Sequence, residues 1–288
     1  MVLFVTVIPL AFGISVAFTN YGRTAAAPPR ILIQWTGLET FINIFKIKQI
    51  STTFVDLFWW NAAWAVLATS SSYAFGMLQA MLLRSKLVKF RVVFRQFYLL
   101  PWAVPGMVSI LVFRVLLNRE GAFNRLLIAS GITTSPVPFL SNVAWARLCL
   151  VLVHVWLAFP YFMALISGIM TAISPELYEA AEIDGANSMQ KFKSITFPIV
   201  ITSTAPQIMM SLVGAFNSFG LVYFLTDGGP RNPAYNNAGS TDILITWIYR
   251  LGASGASSYA CALSIFVFLI VGSISAWNLL HTRVFKED

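Results

Sequence analysis

Residues 144–173, AWARLCLVLVHVWLAFPYFMALISGIMTAI, make a run of thirty without an acid, and Arg147 is the only permanently charged side chain in it. Roughly 20 helical residues cross the ~30 Å hydrocarbon core of a bilayer, so this run is long enough to span. The chain then turns polar: residues 174–198, SPELYEAAEIDGANSMQKFKSITFP, hold Glu176, Glu179, Glu182, Asp184, Lys191 and Lys193. A continuous apolar run, unlike alternating segments, excludes the strands of an outer-membrane barrel. It predicts a membrane helix that ends in a polar island.

Working outward, five more runs of this kind occur, at 2–18, 57–83, 94–117, 199–225 and 259–280. The 288 residues are 58% hydrophobic and 10% charged, whereas soluble domains carry about 25% charged residues. The fold class predicted is therefore an all-α membrane protein with six transmembrane helices. No internal repeat, low-complexity tract or linker divides it, so residues 1–288 are read as a single transmembrane domain with a polar loop at 174–198. Cys149 and Cys261 fall within spans and are expected to pack as small apolar side chains, not as a disulfide.

The net charge of +8 is a matter of topology. No aromatic-basic motif accompanies it, so nucleic acid is excluded as a partner. Arg84, Lys86, Lys89, Arg91 and Arg95 crowd one short loop without an acid, the pattern of a cytoplasmic loop. With that loop inside, both termini and the island around Glu179 are also cytoplasmic. Arg23, Arg30, Lys46, Lys48, Arg119, Arg125, Arg147, Arg231 and Arg250 then lie in or beside outside loops, which are longer, so charge density sets the orientation. Met1 opens directly on an apolar run without a basic or polar flank, which reads as a chain missing residues upstream.

The first outside segment holds a loop at Ala26-Ala27-Pro28-Pro29 and an interfacial stretch at Phe41-Ile42-Asn43-Ile44-Phe45. Trp59, Trp60 and Trp64 are expected to anchor the second span at the headgroups. Gly121, Pro136 and Pro138 break the next outside loop, and Asp227-Gly228-Gly229-Pro230 is a turn. Beyond it, Ser240 or Thr241 caps a short helix whose Ile243, Leu244, Trp247, Ile248 and Leu251 form one apolar stripe.

Two absences bear on the energy source. The chain has no G-x-x-x-x-G-K-[ST] phosphate loop and no carboxylate deep in a span, Asp56 lying at an edge. Energy must then come from another subunit. No catalytic or metal-ligating constellation stands out. His154 is the one ionisable side chain near the middle of a span; it is a functional candidate or, more simply, a neutral histidine hydrogen-bonded to a neighbouring helix.

In the island, Ser174-Pro175-Glu176 starts a helix well: a serine cap, a proline in the first turn and an acid at the positive helix end. Ala180 and Ala181 leave its surface smooth. Gly185 breaks it, and residues 186–197 are predicted to form a second short helix that ends at Pro198. By itself this is equally a solvated connector or a docking surface.

The spacing of Glu179-Ala180-Ala181, Gly185, and Ile195-Thr196-Phe197-Pro198 resembles the signature loop of permease subunits in binding-protein-dependent ABC importers, with Phe197 where leucine is usual. The resemblance implies a coupling helix that inserts into a cleft on an ATPase subunit through Glu179, Ala180, Ala181, Asp184 and Gly185. Leu99 to Gly106, Trp156 to Tyr161, Phe216-Asn217-Ser218-Phe219, Leu225 to Pro230 and Ala238 to Leu244 are similar to the MalF-type permeases of maltose, maltodextrin and related sugar importers. The likeness covers nearly the whole chain and matches the six-span core. It implies a type I importer bundle in a bacterial or archaeal cytoplasmic membrane, working by alternating access.

The partners implied are a second homologous permease, two ATPase subunits, an extracytoplasmic sugar-binding protein and an oligosaccharide. ATP and magnesium would sit on the partner chains, with no cofactor in this one. Carried over by position, the sugar would meet Trp102 and Gly106, then Leu157, Ala158 and Tyr161, then Ser211, Gly214, Ala215 and Ser218. Ala215 and Ser218 stand where the maltose-binding member has asparagines, and Gly214 where it has an aromatic, which implies a roomier and less polar pocket. A permease for a polyuronate or glycerol phosphate fits the loop equally well, and a secondary sugar carrier is the remaining alternative.

Overall fold

The computed structural model describes residues 3–22, 33–85 and 88–281. The expectations placed on Arg23, Arg30, Lys86 and the loop at 26–29 lie outside them. A π-turn at Leu3–Val7 leads into α1 (Ile8–Ala17), followed by α2 (Glu39–Lys46), α3 (Lys48–Arg84), α4 (Arg91–Ala103), α5 (Gly106–Leu116) and α6 (Ala122–Ala129). Next come α7 (Val143–Ala172), α8 (Pro175–Ile183), α9 (Ser188–Lys191), a π segment at Phe192–Thr196, α10 (Phe197–Phe216), α11 (Phe219–Thr226), α12 (Leu244–Ala253) and α13 (Ser257–His281). The described residues contain isolated bridges, Thr19 with Trp35 and Arg231 with Gly239, and no strand. The all-α membrane class holds.

The six runs do not give six equal helices. Three are long and apolar enough to span by themselves: α3, α7 and the continuous stretch Ser188–Phe216. The run at 94–117 is instead α4 and α5, which meet at a bend of 91°. Its cause is local: Pro105 pushes Val104 out of the helical region, and Val104 sits at φ −95°, ψ 131°. The first run appears as a shorter apolar helix, Phe4–Ala17, and the last lies within the 25 residues of α13. The run at 199–225 breaks at Asn217 and Ser218, between α10 and α11.

Contacts gather the chain into two compact units, Met1–Ala62 with Ser141–Val143 and Asn217–Asp288, and Ala63–Leu140 with Ala144–Phe216. In the first unit α1, α2 and α12 pack on α13, with Phe41, Phe45 and Phe54 all around the Phe266 ring. The expected stripe on α12 is buried at Ile243, Leu244, Trp247 and Leu251. Its cap is not the expected one. Asn61, on α3, accepts the Leu244 N–H at 3.0 Å, and Thr246 Oγ1 accepts that of Ile243 at 3.0 Å. Thr241 lies before the cap position, which is Ile243, and its hydroxyl serves the preceding turn, donating to the Gly229 carbonyl at 2.6 Å.

The expected turn closes one residue early, over 226–229, with Gly229 N–H donating to Thr226 O at 2.9 Å, because Pro230 has no N–H to close it over 227–230. Asp242 is fully buried behind it, accepting from Gly239 N–H at 2.7 Å and pairing with Arg250 Nε at 3.1 Å. Burial pushes the Asp242 carboxyl up, against the pull of Gly239 and Arg250. At Arg250 burial is outweighed by Asp242 and Asp227, and the guanidinium is held above its ordinary value.

In the second unit the core is Tyr73, Met77, Ala80, Phe162, Met163, Ile166, Met170 and Val200. Gly76 permits the close approach of α3 and α7, since a Cβ there would lie 2.7 Å from that of Phe162. The Tyr73 and Thr204 hydroxyls share a hydrogen bond of 2.8 Å between α3 and α10.

Two expectations are corrected by burial. Of the three tryptophans only Trp59 is exposed, at 67%; Trp60 and Trp64 are core residues, and Trp64 Nε1 donates to Ala215 O at 2.9 Å. They stabilise helix contacts instead of anchoring in headgroups. His154 lies edge-on to Trp64, centroids 5.4 Å apart, and its buried Nε2 has no hydrogen-bond partner among the described residues. Ring packing takes the place of the expected hydrogen bond to a neighbouring helix. Cys149 and Cys261 are both free thiols.

Candidate functional site

The polar island folds as the sequence asks at its start. Ser174 Oγ accepts the Glu176 N–H at 3.3 Å, Pro175 occupies the first turn, and α8 has no buried residue. Glu179, Ala180, Asp184 and Gly185 are exposed and Ala181 is half-buried, so the residues expected to dock a partner share one short accessible element. Ile183 beside them is 88% exposed, an apolar side chain held out from the surface.

Gly185 ends α8 at φ +76°, a conformation that glycine adopts without steric cost. Asn187 then opens α9 with a capping box, its Oδ1 accepting Gln190 N–H at 2.9 Å and Gln190 Oε1 accepting its own N–H at 2.8 Å. The predicted second helix does not end at Pro198. It widens into the π segment Phe192–Thr196 and runs straight on into α10. Proline lacks an N–H and its ring crowds the carbonyl four residues back; at Pro198 it falls in the first turn after the widened segment, where neither conflict interrupts the helix.

The island is tied to the spans on its inner side. Tyr178 on α8 shares a 2.9 Å hydrogen bond with Thr196. Arg84, at the end of α3, lies 5.1 Å over the Tyr178 ring and donates to Met170 O at 2.7 Å. One arginine thus touches the ends of α3 and α7 and the ring of Tyr178 on α8. Lys191 and Glu182 clamp the two short helices together at 2.6 Å. Sequence reasoning found the exposed face of α8 but not this tether.

Among the expected sugar contacts, Trp102 and Tyr161 come together, ring centroids 5.7 Å apart and tilted by 38°. The Tyr161 hydroxyl donates to Gln207 Oε1 at 2.7 Å, so α10 fixes it. Gln207 was missed; its only signal was an amide inside an otherwise apolar run. Gly106 and Gly214 are exposed, while Leu157, Ala158 and Ser211 are half-buried. Ala215 is 2% exposed and carries the carbonyl that receives Trp64, which places its methyl in the packing of its own unit. Ser218 precedes α11 in the other unit. The described residues include no cluster of three or more His, Cys, Asp and Glu that would hold a metal ion.

Residues 72–284 match the family described as binding-protein-dependent transport system inner membrane component. The chain belongs to that family. It is an inner-membrane component of a transport system and not an enzyme in its own right. All of it aligns with 69% of the galactooligosaccharides permease GanP of Bacillus subtilis, at 38% identity. It aligns likewise with 68% of the maltodextrin permease MdxF of the same organism, at 36%. For the maltose/maltodextrin permease MalF of Escherichia coli K12, 92% of the chain covers 52% of that protein at 34% identity. The chain therefore spans about two thirds, or in MalF about half, of these inner-membrane components. Its fold is that of a solved chain from a bacterial ABC transporter involved in the import of alginate, TM-score 0.77 at 22% identity, over 99% of this chain and 92% of that one.

Proposed function

We propose that this chain is the permease subunit of an ATP-driven importer of maltose-type oligosaccharides, forming half of a translocation path that works by alternating access. A second permease completes the path, two ATPase subunits bind below and carry ATP and magnesium, one of them receiving the island in its cleft, and an extracytoplasmic binding protein delivers the sugar. The chain crosses the cytoplasmic membrane six times with both termini inside, the short first helix, the bent α4–α5 pair and α13 counting as spans.

The observation that carries this reading is α8. A helix exposed along its outer face, yet tethered through Tyr178 and Arg84 to the ends of the long spans, is built to pass a push from below into the membrane domain. Named relatives at 34–38% identity support a neutral oligosaccharide as cargo. So does the lining: Trp102, Tyr161 and Ser211 offer aromatic faces and hydroxyls, and no expected contact is charged. A polyuronate or a glycerol phosphate calls for arginine or lysine at the site.

The test begins with the cognate binding protein, screened by thermal shift against neutral oligosaccharides and polyuronates. Stabilisation by a neutral glucan or galactan, and ATP-dependent uptake of the same sugar by the reconstituted complex, is expected. Stabilisation by polyuronates alone would overturn the cargo.

A further inference from the structure

A cavity of about 280 Å³ lies in the second unit where the ends of α3 and α7 meet the start of α4. Arg84, Arg91 and Arg95 line it together with Leu83, Val92 and Met170, and no carboxylate does. Arg91 and Arg95 stand four residues apart on one helix face, an arrangement that destabilises the helix unless an opposite charge answers it. None is near in sequence, since residues 57–119 contain no Asp or Glu.

The arginines are also underused. Each guanidinium has five N–H donors. Arg91 gives one to Val88 O at 3.2 Å and Arg84 one to Met170 O at 2.7 Å. Arg95 has no partner among the described residues. Beside them α4 exposes Val92, which also lines the cavity, and Phe97 further along the same helix.

Three arginines around apolar walls at the end of membrane helices match a phosphate that arrives attached to acyl chains. We propose that this cavity seats the headgroup phosphate of an acidic phospholipid of the cytoplasmic leaflet, whose chains lie along Val92 and Phe97. The leaflet rests on the orientation given above; the site itself does not. Because Arg84 also stacks on Tyr178, the lipid touches the tether of α8, and its occupancy bears on coupling.

The test uses the full transporter in nanodiscs of phosphatidylcholine, pure or mixed in equal parts with phosphatidylglycerol. Native mass spectrometry of the complex from mixed discs should show retained phosphatidylglycerol. The R91Q/R95Q variant should retain about twenty-fivefold less, since each charge near a membrane surface is worth about fivefold. R91K/R95K should recover part of the loss. Equal retention by wild type and R91Q/R95Q overturns the proposal. So does protection against heat by inorganic phosphate in pure phosphatidylcholine discs to the same extent as phosphatidylglycerol gives, which would make this a free-anion site. Loss of the ATPase subunits from R91Q/R95Q with lipid retention unchanged would make it a protein contact, and also overturns it. Leaflet is read separately from a thiol probe on M189C: labelling from outside defeats the cytoplasmic assignment whatever the retention.

Discussion

Gly185 and Gly76 use the same missing Cβ for opposite ends. At Gly185 a Cβ would meet nothing within 4 Å, so the demand is only on φ, which stands at +76°. An L residue there costs about 1–2 kcal/mol locally, and asparagine tolerates the region best. Gly185→Asn should keep both membrane insertion and coupled transport. Gly185→Asp should insert normally while sugar uptake per ATP falls about tenfold, a loss of about 1.4 kcal/mol of coupling; normal uptake by that variant would remove the docking role. At Gly76 the demand is on space, with Phe162 Cβ at 2.7 Å and Met163 N at 2.9 Å from the added carbon. Gly76→Val should lower unfolding free energy in detergent by about 1–3 kcal/mol through overpacking. An unchanged denaturation midpoint would mean that α3 and α7 separate freely.

Helices α8 and α12 are each held by a partner from far along the chain. Tyr178→Phe keeps the ring under Arg84 and removes the 2.9 Å hydrogen bond to Thr196. That variant should bind the ATPase subunits normally and lower the ratio of transport to ATP hydrolysis, measured in the same vesicles. For α12 the critical group is Asp242, buried against Gly239 N–H and Arg250. Removing one member of a buried pair costs about 3–5 kcal/mol, and since Arg250 keeps Asp227 the low end is expected for Asp242→Ala, read as faster proteolysis of the loop before α12. The pH sign follows from burial. With the carboxyl raised above its ordinary value, the folded state binds a proton more readily than the unfolded one, so stability rises as pH falls through that window. The gap between wild type and Asp242→Asn, measured by chemical unfolding, should move in favour of wild type from about pH 6 to about pH 4. The opposite drift would show that the ion pair dominates.

For the whole molecule the prediction is topological. In a C149A/C261A background, single cysteines at Met189 and Ile183 should react with an impermeant thiol reagent only from the cytoplasmic side. Cysteines at Glu120 and Asn232 should react only from outside. Reaction of Met189 and Glu120 from the same side would remove a crossing and with it the six-span topology. The positions are suitable because Met189 and Ile183 are well exposed and belong to the island, while Glu120 and Asn232 sit in the loops beyond α5 and α11.

Much of this was legible in the residues. Apolar runs, the basic loop and the Ser174-Pro175-Glu176 start are local signals of solvent and backbone, and local signals survive in a sequence read by itself. They fixed the membrane class, the helical architecture and the exposed island with its glycine break. What they could not reach were partners distant along the chain. Asn61 caps α12 from 183 residues away, so Ser240 and Thr241 looked like the cap. Trp60 and Trp64 resembled headgroup anchors until their indoles met carbonyls at Thr241 and Ala215. Gln207, the Arg84–Tyr178 tether and the cavity of three arginines likewise exist only once the helices pack. Hydrophobicity says which residues leave water; tertiary structure alone decides which polar group each of them meets there.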